Sequence, residues 1–202
     1  MKILAVSGSP RKKGNTVILL ERVLEGAKSE GAETELFSVA GKDIGGCDGC
    51  WSCMKAGNCH IKDDMTELYD KLLQADGIVL GTPIYFWGMT SQMKAIIDRS
   101  IALTGPEKNL ANRVCGVVVV AGSLGLVDAL KDFAFYIYQK RMLPANMVAG
   151  YTREPGETLK MEGLLKEAHD LGRQMVALVN SGFKYPVEFM RGPGAYGVQG
   201  RM

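Results

Sequence analysis

The 202-residue chain carries 24 Lys and Arg against 22 Asp and Glu, a formal net charge of only +2. With no basic block, it offers no electrostatic footprint for nucleic acid. No apolar run approaches the ~20 residues a bilayer span needs. The opening MKILAVSG lacks the flanks of a secretory leader. It reads instead as a buried strand over Ile3 to Val6. Five cysteines, four of them crowded between positions 47 and 59, fit a reducing cytoplasm better than a secreted disulfide framework.

After the first strand comes Ser7-Gly8-Ser9-Pro10-Arg11-Lys12-Lys13-Gly14-Asn15-Thr16, which opens a helix with apolar positions at Val17, Leu20, Leu24 and Ala27. Free N–H groups at a helix start, the hydroxyls of Ser7, Ser9 and Thr16, the Asn15 amide and the Arg11 charge can together surround a phosphate. The segment is neither a G-x-G-x-x-G fingerprint nor a Walker loop. Its many donors suit a terminal monophosphate. Residues 33 to 39 alternate apolar and polar, which predicts a strand at a sheet edge.

The loop over 41–62 then carries Cys47, Cys50, Cys53 and Cys59 in the spacing C-x2-C-x2-C-x5-C. Zinc knots usually draw two C-x2-C pairs from separated segments. Four ligands in one short loop loosened by Gly45, Gly46, Gly49 and Gly57 suit a [4Fe-4S] cube better, with a zinc knot and a metal-free loop as the alternatives. His60 reads as a solvated loop histidine and His169 as a helix-surface one. Asp64 and Glu67 have the spacing of a capping box opening a helix through Met65, Leu68 and Leu72.

A strand over Gly77 to Leu80 leads into Gly81-Thr82-Pro83-Ile84-Tyr85-Phe86-Trp87-Gly88-Met89-Thr90. Three consecutive aromatics between Pro83 and Gly88 offer apolar faces and close backbone N–H groups, as a flat heteroaromatic ring with carbonyls requires. Helical spacing follows at Met93, Ile96 and Ile97. Next come a strand over Val114 to Val120 containing Cys115 as a small buried hydrophobe, a helix through Leu130, Phe133 and Ile137, and a strand at Met147 to Ala149. A last helix runs from Met161 to Leu178. Strand and helix alternation predicts a three-layer α/β sandwich whose five parallel strands take the order 2-1-3-4-5, with the cysteine loop after strand 2. That order places loops one and three side by side. Residues 1–181 form one domain in this reading, and the Gly-, Pro- and aromatic-rich stretch 182–202 is an extension over a neighbouring surface.

SGSPRKKGNT, the cysteine loop followed by Asp63-Asp64-Met65, GTPIYFWG and the KAIIDR of Lys94 to Arg99 together resemble the iron–sulfur flavoproteins. These are a branch of the flavodoxin-like NAD(P)H-dependent FMN reductases. The resemblance covers residues 1 to about 125, and only the cysteine loop is particular to the branch. It implies FMN, with its phosphate on Ser9, Arg11, Asn15 and Thr16, Pro10 among the other cofactor-binding residues, and its isoalloxazine on Pro83, Ile84, Tyr85, Phe86, Trp87 and Gly88. Gly122 and Ser123 would also touch the ring, although many relatives carry a glycine-richer turn than the one here. It further implies a [4Fe-4S] cluster on the four cysteines and a cytoplasmic homodimer or homotetramer, with the cluster near a flavin.

The activity expected is electron transfer from ferredoxin or a reduced nicotinamide to a quinone, oxygen or peroxide, with no obligatory side-chain acid or base. The alternatives are an NAD(P)H-dependent FMN or quinone reductase without a functional cluster, and a non-enzymatic redox carrier or sensor.

Overall fold

The computed structural model describes residues 1–105 and 108–186. Most of the expected extension from 182 onward therefore lies outside the described residues. In chain order the elements are β1 (Lys2–Ser7), α1 (Asn15–Ser29), β2 (Glu33–Ser38), α2 (Ser52–Ala56), α3 (Met65–Gln74), β3 (Gly77–Tyr85) and β4 (Gly88–Met89). They continue with α4 (Ser91–Arg99), β5 (Val114–Ala121), α5 (Leu126–Gln139), β6 (Leu143–Tyr151) and α6 (Glu162–Asn180). The parallel strands run β2-β1-β3-β5-β6, the expected order once β4 is set aside, since β4 pairs antiparallel with the end of β3 alone. No helix among the described residues is long and apolar enough to cross a membrane.

Apolar strands with both faces covered give two cores. Leu4, Val6, Ile78, Leu80, Val117 and Val119 pack under α3, α4 and α5, while Ile3, Ala5, Val79, Val118 and Val120 pack under α1 and α6. Only a sheet buried on both sides lets successive residues of one strand serve different cores. β2 lies at an edge, as its alternation predicts, and Cys115 is fully buried.

α1 and α6 approach until no side chain fits between them. A Cβ on Gly172 would sit 1.9 Å from the Val23 carbonyl oxygen and 2.6 Å from the Ala27 nitrogen. In an exposed helix interior, Gly→Ala gains up to about 1 kcal/mol. Here backbone must move instead, so Gly172→Ala should destabilise by about 2 kcal/mol or more. A fall in the urea midpoint checks this, and a rise would contradict it.

The capping box expected at Asp64 and Glu67 does not form. Asp64 has helical backbone angles and no cap hydrogen bond, and its carboxylate accepts from Asp43 N–H at 2.7 Å. Glu67 pairs with Lys42 at 2.7 Å. Asp63 does the capping, accepting from Met65 N–H at 3.1 Å. The chain must fold back on residues 43–45 there, and that long-range pairing takes Asp64.

Candidate functional site

Two loops meet at the carboxyl end of the sheet. Gly14 opens α1 with no side-chain cap and no acid in the first turn, so the helix-start N–H groups face no competing carboxylate. Ser9 and Thr16 are buried, and the Ser9 hydroxyl accepts from Arg11 N–H at 3.2 Å, which curls the loop tightly. Gly8 N–H donates to Gly81 O at 2.8 Å, and the buried Thr90 hydroxyl donates to Gly8 O at 2.7 Å while accepting from Met93 N–H. Thr90 thus caps α4 and pins the first loop to the third.

The third loop is a hairpin that the aromatic run did not reveal. Tyr85 pairs with Gly88, and the two residues between them, Phe86 and Trp87, have φ of 49° and 67°. A two-residue turn of this hand favours Asn and Gly, and bulky residues there are strained. Strain of this kind gathers at functional sites. Phe86 is 94 % exposed and its ring lies edge-on to Trp87. Gly125, at φ 91°, lets the start of α5 approach so closely that a Cβ would lie 2.7 Å from the Trp87 Cα.

A cavity of about 180 Å³ joins these loops, lined by Ser9, Arg11, Asn15, Thr16, Pro83, Ile84, Tyr85 and Gly122 among the expected residues. Pro10, Phe86, Trp87, Gly88 and Ser123 are not among its lining. Asn15 faces other partners: its amide donates to the Thr152 hydroxyl and to Glu154 O, both at 2.8 Å. It therefore ties the loop after β6 to the start of α1. That loop supplies Arg153, which sequence reasoning missed; it lines the cavity and donates to Gly122 O at 3.2 Å. Its position some 140 residues from Arg11 left no local signal.

The cysteine loop is closed at its neck. Asp64 N–H donates to Asp43 O at 3.0 Å, and Gly45 N–H donates to Asp63 at 2.9 Å. Arg99, fully buried at the end of α4, pairs with Asp63 and donates to Gly45 O at 3.2 Å and Ile61 O at 3.3 Å. Burial works against the charge of both partners. The pairing outweighs it, with the Asp63 carboxyl held below its usual range and the Arg99 guanidinium raised. One further N–H of Arg99 points at Cys59 Sγ, 3.8 Å away.

All four cysteines line one cavity of about 310 Å³, floored by Arg99, Ile101 and Ala102. Burial pushes the Cys53 thiol up, and the nearby Cys59, Cys47 and Cys50 push it further. Such mutual repulsion is what a bound cation relieves, so the donor set fits a metal centre. Asp48, Cys50 and His60 also bring their donor atoms within 4.8 Å of one another, a smaller alternative set. His60 is half-exposed, as a loop histidine should be, with Nε2 2.6 Å from Asp48. Hydrogen bonds from Cys50, then His60, hold the Asp48 carboxyl down to about 2. The two cavities lie at opposite ends of α4. From Thr90 to Arg99 the helix rise is about 13 Å.

The family described as NADPH-dependent FMN reductase matches residues 1–152. The chain is 35% identical over 190 residues to an iron–sulfur flavoprotein of Methanocaldococcus jannaschii, a match covering 89% of this chain and 97% of the relative. An iron–sulfur flavoprotein of Archaeoglobus fulgidus is 39% identical over 150 residues, 73% of this chain and 74% of the relative. Among solved structures, a flavodoxin from the domain Archaea superposes with a TM-score of 0.59 at 17% identity, covering 89% of this chain and 99% of that one; it speaks to the fold alone.

Proposed function

The chain belongs to the NADPH-dependent FMN reductase family, in its iron–sulfur flavoprotein branch, and from that membership we propose an oxidoreductase with two linked centres. It carries electrons from ferredoxin or a reduced nicotinamide to a two-electron acceptor such as a quinone, oxygen or peroxide. Bound together, FMN and a [4Fe-4S] cluster supply exchange between single electrons and pairs.

The chain's own residues supply placement and charge. Ser9, Arg11, Thr16 and the first N–H groups of α1 hold the FMN phosphate, while Asn15 fixes the loop that brings Arg153 over the same cavity. Pro83, Ile84, Tyr85 and Gly122, which line that cavity, would hold the ring. At about 180 Å³ the cavity is smaller than the ~300 Å³ and more of most cofactor sites, and the exposed Phe86–Trp87 turn beside it would offer the ring further apolar surface. Cys47, Cys50, Cys53 and Cys59 hold the cluster. Arg99 steadies Cys59 with a hydrogen bond, and Asp63 keeps that guanidinium in place. Ring exposure on the hairpin suits assembly with a further copy, which would cover the aromatics and shorten the path from a cluster.

The convergence of all four thiols on one cavity carries this reading. It is tested by a Cys47→Ser, Cys50→Ser double variant checked for retained flavin. Its ferredoxin-driven quinone reduction should fall at least tenfold, while dithionite still reduces the flavin. An unchanged ferredoxin-driven rate would sink the relay and favour a direct NAD(P)H reductase whose cysteine loop is structural.

A further inference from the structure

Lys140, the residue that ends α5, is 8 % exposed, yet among the described residues no carboxylate lies within ion-pair reach of it. Its ammonium donates to Ser100 O at 2.6 Å and to Leu103 O at 3.5 Å, and sits 6.0 Å from the Tyr136 ring. A buried cation held by carbonyl dipoles and a ring face, with no anion beside it, is costly. Arg99, the other buried cation nearby, is already neutralised by Asp63.

The turn that receives Lys140 is also the floor of the cysteine cavity. Residues Ser100–Ala102 form a single 3-10 turn, and Ile101 and Ala102 from that turn line the cavity. The ammonium therefore stands one chain thickness behind the cysteine site. Burial lowers the pKa of the ammonium to about 8.

We propose that Lys140 is the buried counter-charge of the cysteine site, stabilising the more negative, reduced form of a cluster held there and so setting the potential at which it takes an electron. The inference rests on the cluster assignment made above. Four thiolates around a cluster give a net negative centre, and one electron from the one-electron donor adds a further negative charge with no proton required. An adjacent fixed cation in a medium of low dielectric favours that addition. Lys140 is a positioning residue in this account, since it touches neither sulfur nor flavin.

Spectroelectrochemical titration of the loaded protein tests it, with wild type compared with Lys140→Gln and Lys140→Arg. Gln keeps a donor for the two carbonyls but loses the charge. The cluster midpoint should shift negative in Lys140→Gln and stay near wild type in Lys140→Arg, while the flavin midpoint, read in the same titration, stays put in both. Lys140→Met serves as a second neutral variant should Gln fail to fold. A loaded neutral variant with an unmoved cluster midpoint, or equal shifts in the neutral and Arg variants, overturns the inference. A wild-type protein that takes up no cluster defeats the cluster assignment itself.

Discussion

Replacing Cys50 by Ser should abolish the cluster's broad visible absorption and remove about four irons per chain, while most of the FMN stays bound. Cys50 is exposed, so its thiol contributes nothing to the core, and the change falls on the metal site alone. The neck of the loop, with Asp63, Asp64 and Arg99, remains intact. The loop after β1 lies at the other end of α4, pinned by Thr90 and Gly81 rather than by any cysteine. Iron analysis and flavin extraction on the same anaerobic preparation check both halves. Complete loss of FMN from a folded variant would show that the two sites form one unit.

Arg11→Ala should weaken FMN by about 1.5–3 kcal/mol, roughly 10- to 150-fold in Kd, and barely affect riboflavin. The charge-assisted hydrogen bonds lost exist only for the phosphorylated ligand. Because the Arg11 side chain is exposed and its backbone N–H makes the bond to Ser9, the loop should keep its shape. Titrating both ligands against wild type and variant measures the difference directly. Equal weakening of FMN and riboflavin would place Arg11 away from the phosphate.

What was legible in the sequence is what local pattern encodes. Apolar runs marked the strands, edge alternation marked β2, and the order of the parallel strands followed from alternation with helices. The cysteine spacing and the loop after β1 announced themselves because each packs its chemistry into a dozen residues. The groups that position that chemistry did not. Arg99 sits in KAIIDR, where it reads as an ordinary charged helix residue, and only folding brings it to Asp63, 36 positions earlier. Lys140 and Arg153 are likewise single charges whose meaning depends on distant loops.

Asn15 lines the cavity between the two loops, but its amide is committed to Thr152 and Glu154, partners no local pattern announces. The hairpin at Phe86–Trp87 was hidden because its residues are the wrong ones for such a turn. Local propensity argues against it, and the packing of Gly125 beneath Trp87 overrides propensity.

Metal, acid-labile sulfide and visible-spectrum analysis of protein purified without oxygen decides whether the loop of Cys47, Cys50, Cys53 and Cys59 holds a [4Fe-4S] cluster, at the other end of α4 from the flavin site. About four irons and four sulfides per chain are expected, with broad cluster absorption beneath the flavin bands. One zinc per chain with a flavin-only spectrum would contradict the cluster assignment.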